Sequence, residues 1–247
     1  MAAPLLRSVP DRPLGGSAGG GWRPLLQLSV PAFAWEFLRR NPDYRSDFAG
    51  HTVDVDPRWG LRFPADPALP HAQAGVFWRE DVAPGIVLPI VGPAPETSPY
   101  LSKPQWEGAP REGEDGLHLR LVAGLQLLFR RPRERSGPVL VVLRFDQEFG
   151  LRVRAVQALE RAVNSRSAPR SRLTAAQRLR LARSLVALDG FERRDTYRDI
   201  ARTVFGDEAV EREAWRTASV RDATIRLVRT GRRLMRGGYL KLLWDGL

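Results

Sequence analysis

The chain has 247 residues, no cysteine, three histidines and a formal net charge of +11. Disulfides and thiolate metal sites are therefore excluded, and His51, His71 and His118 are too far apart to show a ligand spacing, so neither a metal nor another cofactor is expected. No apolar run reaches the roughly 18–20 residues that cross a bilayer, and the first residues lack a secretory pattern, so a cytoplasmic, nucleoid-associated protein without a membrane partner is expected.

Met1–Pro24 is rich in glycine and proline and reads as a flexible tail. Beyond Ser29, Phe33, Phe37 and Leu38 recur at helical spacing with Trp35 beside them. The Asn41-Pro42 pair should end this helix and start a second, with Asn41 as cap and Pro42 in the first turn. Gly75–Trp78 and Ile86–Val91 read as short strands, and Thr97–Gly116 as a long exposed loop. Leu117–Arg130 and Val139–Phe145, joined by the turn-rich PRERSG, read as an antiparallel hairpin with one packed face. Residues 25–150 thus read as an α+β unit for regulation or oligomerisation. Trp59, Trp78 and Trp106 suit either a small core or a protein interface.

Two acid pairs raise the question of catalysis. Asp54 and Asp56 stand near His51, and Asp146 and Glu148 follow a strand end. Turn and capping roles account for both pairs. There is no phosphate-binding glycine loop, nucleophile elbow or His-based metal motif, so the chain is not expected to be an enzyme.

From Leu151 the pattern becomes helical. Apolar residues at 151, 155, 156, 159 and 163 form a stripe, and the polar Asn164–Arg172 reads as a hinge. Three capping boxes follow, Thr174–Gln177, Thr196–Asp199 and Ser219–Asp222. Each opens an amphipathic run that ends at glycine: Gly190, Gly206 and Gly237-Gly238. The expected inner faces are Leu179, Ala182, Leu185 and Val186; then Tyr197, Ile200, Ala201, Val204 and Phe205; then Val220, Ala223, Thr224, Leu227, Val228 and Leu234. Residues 151–247 therefore read as a helical domain. Its second and third helices form a helix-turn-helix-like pair with a lengthened connection, in which Trp215 reads as a core anchor.

The net charge is confined to this domain. Residues 151–247 hold 22 basic side chains against 11 acidic, whereas residues 1–150 hold 17 of each. A GC-rich genome accounts for arginine in place of lysine, but not for an excess of base over acid in one region. That asymmetry points to a polyanion, and the segment 219–241, with six Arg and one Lys against one Asp, concentrates it. In a helix-turn-helix the second helix enters the major groove of duplex DNA. By position on helix 219–235, Ser219, Arg221, Asp222 and Arg226 would read bases, while Arg229, Arg232, Arg233 and Arg236 would hold phosphates. Tyr197 and Arg198, opening the preceding helix, are assigned to DNA as well. For any one arginine, a solvated surface position is the competing reading.

These residues also carry a family resemblance. TYRDIARTVFG and AWRTASVRDATIRLVRTGRRLMRGGYLKLL resemble the carboxy-terminal DNA-binding domain of RovC-type transcriptional activators of proteobacteria, with matching positions along most of residues 117–247. AWEFLRRNPDYRSDF and WGLRFPAD resemble the transcriptional-regulator-like domain that often precedes it. The resemblance implies a homo-oligomeric transcription activator in which Thr217, Ser219, Arg221, Arg226 and Arg229 contact DNA. Another regulator or RNA polymerase would be a further partner. An adaptor or anti-activator working through protein contacts is the alternative, and a DNA-processing enzyme ranks below it.

Overall fold

The computed structural model describes residues 20–50, 54–92, 106–121, 124–130, 138–164, 173–212, 214–215 and 217–245. His51, the PRERSG connection, the start of the 97–116 loop and the hinge after Asn164 lie outside the described residues. Helix α1 (Val30–Leu38) is capped by Ser29, whose hydroxyl accepts the Ala32 N–H, and Pro31 fits its first turn. All of α1 is buried, because VPAFAWEFL carries apolar side chains on every side. As expected, Asn41 caps α2 (Pro42–Ala49) through the amides of Asp43 and Tyr44. Its own side-chain N–H donates to the Met235 carbonyl at 3.0 Å.

A 3-10 turn, Pro57–Trp59, and the one-turn helix α3 (His71–Ala74) lead to a five-stranded sheet. Its strands are β1 (Val87–Val91), β2 (Arg111–Gly113), β3 (Gly116–Arg120), β4 (Gln126–Phe129) and β5 (Leu140–Val141), in the order β2-β3-β4-β1-β5. The α+β class holds, but the sheet departs from the expected hairpin. The segment 117–130 is itself folded back as β3 and β4, with the turn at Gly124 in a left-handed conformation. β4 then pairs parallel with β1, and β5 pairs antiparallel with β1 instead of joining β4. The sheet is mixed for that reason. Part of the expected 97–116 loop is strand β2, paired with β3. Gly75–Trp78 makes only an isolated bridge from Trp78 to Leu61; the Gln126 side chain, bonded to Val76 O and Trp78 N, occupies the place of a partner strand.

Helix α4 (Phe149–Asn164) lays Ala155 and Leu159 on the sheet against Leu88, Ile90, Leu127 and Phe129. Next come α5 (Ala175–Glu192), α6 (Tyr197–Phe205), α7 (Asp207–Glu211) and α8 (Ser219–Arg233). The glycine pair after α8 does not stop the chain's helical course. It sits in a π turn, Leu234–Gly238, where Gly237 takes φ 109°, and α9 (Tyr239–Asp245) follows. The main core joins both ends of the chain: Phe33, Trp35, Phe37 and Leu38 pack with Leu181, Leu185, Leu188, Met235, Tyr239, Leu242 and Leu243. On α5 it is Leu181 and Leu188 that complete the inner face, while Leu179 is half-buried.

Within this core Arg40 pairs with Glu36 at 2.7 Å and forks onto Asp189 of α5 at 2.6 and 3.0 Å. Burial pushes the Glu36 carboxyl up, but Arg40 and Arg39 outweigh it and hold the group below its ordinary value. A depressed carboxylate stabilises the fold above its unfolded pKa, and that stability is lost as pH falls through the folded value. The melting temperature of the parent should therefore exceed that of Glu36→Gln at neutral pH, and the gap should narrow below about pH 4.5. A gap that stays constant down to pH 3 (roughly the acid limit of such a titration) counts against this assignment.

α8 crosses α5 at a contact between small residues. A Cβ added to Gly231 would lie 2.7 Å from the Ser184 carbonyl oxygen and 3.0 Å from Leu188 Cβ. In an exposed helix, Gly→Ala stabilises by about 0.5–1 kcal/mol. Here the sign should reverse, with Gly231→Ala losing about 1–3 kcal/mol through overpacking against backbone. Urea denaturation measures it, and a stabilised variant would contradict the close crossing.

Candidate nucleic-acid interface

Helices α5, α6 and α8 share a satellite core of Ala187, Ile200, Val204 and Val228, edged by Val186, Phe191, Phe205 and Leu227. Thr174 and Gln177 form the expected reciprocal box at the start of α5. Thr196 opens α6 by accepting the Asp199 N–H at 3.2 Å and donating its hydroxyl to the Asp199 carboxylate at 2.5 Å. Gly190 lets α6 approach, since a Cβ there would meet Ile200 Cγ1 at 2.8 Å. The third box differs. The N-cap position of α8 belongs to Ala218, and Ser219 is the first helical residue. Ala218 is buried where Trp215 was expected to anchor; Trp215 is half-buried and stands outside the three-helix core. The lengthened connection is occupied by α7, which buries Val210.

α8 buries Thr224, Val228 and Gly231. Ser219, Asp222, Arg226, Arg229 and Arg233, spaced by three or four residues, fall on the opposite face and are all exposed. Among the described residues the one ion pair on this helix is Arg221–Asp222 at 3.4 Å, on the exposed surface. Arg226, Arg229 and Arg233 thus form a positive row that makes no ion pair among the described residues. Arg221 lies on the flank of the row, and Arg236 is exposed in the π turn. Arg232 is turned towards α5, with its guanidinium 4.7 Å from the centre of the Phe191 ring. Thr217 is exposed in the turn before α8 and donates its hydroxyl to Ala214 O. Tyr197 and Arg198 are exposed in the first turn of α6; Tyr197, at 39% exposure, does not join the inner face expected for it.

The amino-terminal segment braces these helices. Trp22, which composition places in the tail, donates its indole N–H to Val204 O of α6 at 2.9 Å. Arg183 of α5 lies over the rings of both Trp22 and Phe205. Arg178 donates to the carbonyls of Leu26 and Leu28.

Away from this surface lies a cavity of about 720 Å³ that no sequence motif announces. Its lining includes Arg62, Trp78, Asp115 and His118. His118 bonds to Asp115 at 3.0 Å and packs edge-on against Phe63 and Phe77. Burial raises Asp115, but hydrogen bonds from Arg62 and His118 prevail and hold it at about 2. Burial pulls the His118 ring down more than Asp115 lifts it. Asp56 caps the 3-10 turn through the Arg58 N–H, and Asp146 accepts the Glu148 N–H and pairs with Arg152. Both acids so occupy the turn and capping roles expected of them.

Two family models match the chain. Residues 142–244 match the one described as "T6SS, Transcription factor, DNA binding domain", of RovC type, and residues 21–64 match the proteobacterial transcriptional regulator-like domain. The chain is a transcriptional regulator with a RovC-type DNA-binding domain. No curated protein matches it. The regulator-like match takes in Trp22 and the DNA-binding match begins with the segment leading into α4, so the regulator's matched stretches include its braces as well as its positive row. Among the described residues, no helix is long and apolar enough to cross a membrane and no cluster of His, Asp and Glu could hold a metal ion.

Exposed arginines without partners add little to folding. Arg226→Ala, Arg229→Ala and Arg233→Ala should each move the melting temperature by less than about 2 °C, as surface substitutions do. Arg232→Ala, which removes the stack on Phe191, should lower it further than any of the three. Calorimetry on the four variants checks the ranking.

Proposed function

We propose that the regulator binds duplex DNA sequence-specifically through a helix-turn-helix formed by α6 and α8, and that it activates transcription as a homo-oligomer. The observation that carries this reading is the row Arg226–Arg229–Arg233, which makes no ion pair among the described residues and lies on the solvent face of a helix whose other face is packed on α5 and α6. A guanidinium can bond two acceptors of guanine or clasp a phosphate. Ser219, Arg221, Asp222 and Arg226, near the start of α8, read base edges in this proposal. Arg229, Arg232, Arg233 and Arg236 hold phosphates, with Thr217, Tyr197 and Arg198 gripping the backbone beside them. A duplex-DNA partner places the protein in the cytoplasm at the nucleoid, where RNA polymerase or another regulator would be the further partner.

A second reading, an adaptor acting through protein contacts, draws on the edge of the sheet. Leu140, Val142 and Phe145 are exposed there, Phe145 to 87%. Such a surface serves either a partner protein or a second copy.

Selection of bound sequences from randomised duplexes, followed by titration of the full chain, separates the two readings. With the selected site, Arg226→Ala should lose preference over mixed-sequence DNA by about 1–3 kcal/mol. Arg233→Ala should weaken both DNAs alike and reduce the salt slope by about one unit. Absence of DNA binding by the parent protein at low salt would establish the adaptor in its place.

A further inference from the structure

Arg194 is, among the described residues, the one residue other than glycine with a left-handed backbone, at φ 65°. It stands where α5 ends. The Arg194 N–H returns to Phe191 O and the Asp195 N–H to Gly190 O, both at 3.0 Å, closing the helix with a left-handed residue just inside the last bond. Glycine, or sometimes asparagine, is the residue that such a stop favours, because an L side chain brings Cβ against a carbonyl oxygen. Glycine codons are as rich in G and C as arginine codons, so base composition does not favour arginine at this position. The side chain gains nothing visible from the fold in return. Arg194 is exposed and makes no ion pair among the described residues, whereas the adjacent Arg193 is paired with Asp195 at 2.7 Å.

The corner is linked to α8. Phe191, whose carbonyl receives the Arg194 N–H, carries the Arg232 guanidinium of α8 over its ring. Two residues beyond Arg194, Thr196 starts α6 with the exposed Tyr197 and Arg198. Arg194 therefore stands beside both helices of the DNA-reading pair. In three-helix DNA-binding units the connection between the first two helices can reach the phosphate backbone.

We propose that Arg194 is a phosphate-binding residue, and that its left-handed strain is kept for that contact. The inference rests on the DNA-binding reading above. Arg194→Gly relieves the strain and removes the charge, so its two effects should have opposite signs. Its melting temperature should rise by about 2–4 °C, net of the freedom glycine adds to the unfolded chain. Its affinity for a fluorescent mixed-sequence duplex at low salt should fall on the order of threefold to tenfold, with the salt slope reduced by about one unit. Arg194→Lys keeps the charge and should restore the slope without raising the melting temperature. If Arg194→Gly binds with the parent's affinity and slope while Arg233→Ala is impaired, the phosphate role of Arg194 is wrong and the DNA-binding reading stands. An unchanged or lowered melting temperature for Arg194→Gly overturns the strain argument. A parent protein that fails to bind duplex DNA overturns both.

Discussion

A nine-residue helix with apolar side chains all round has to be enclosed on every side, and α1 is enclosed by elements from both ends of the chain. Its burial brings Arg40 into a nearly dry position, where a guanidinium is tolerable only with carboxylates at hydrogen-bond distance. Glu36 on the same helix supplies one and Asp189 on α5 the other. That ion cluster fixes α5 to α1, and α5 in turn is the surface on which α6 and α8 are mounted. Hydrophobic contact alone would leave the register of these helices loose. The bonds from Asn41 to Met235 O, Tyr239 to Trp59 O and Trp22 to Val204 O specify it.

Steric limits then set the distances. Gly231 lies against the Ser184 backbone and Gly190 against Ile200, so α8 and α6 each approach α5 at a point where a single methyl group would intrude. The arginines of α8 lie on the face turned away from that crossing. Long, flexible side chains are consequently held by a stiff support, which lowers the entropy to be lost when they are ordered against a ligand.

Much of this was legible where the chemistry is local. Asn41-Pro42, Thr174 with Gln177 and Thr196 with Asp199 mark helix starts through bonds made within four residues, and the structure has them all. The stripe on α8 follows from helical periodicity. Features decided by distant partners were not legible. The parallel pairing of β1 with β4 depends on which strands meet, information that alternation of apolar residues does not hold. Trp22 sits in a glycine-rich stretch, and only its bond to α6, 182 residues away, reveals a structural role. Ser219 matches the capping pattern, yet the buried Ala218 shifts the helix start by one residue. The orientation of Arg232 likewise depends on Phe191 being beneath it.

The double use of Asn41 bears on how such a regulator can change over time. The same amide caps α2 in the regulator-like stretch and grips the turn that follows α8 in the DNA-binding stretch. Exchange of either stretch for a foreign counterpart would leave buried polar groups without partners unless both sides of the joint were replaced together. Domain shuffling is thus a poor route to a new target. Point substitution along the open row of α8 is a cheap one, since those side chains owe nothing to the fold.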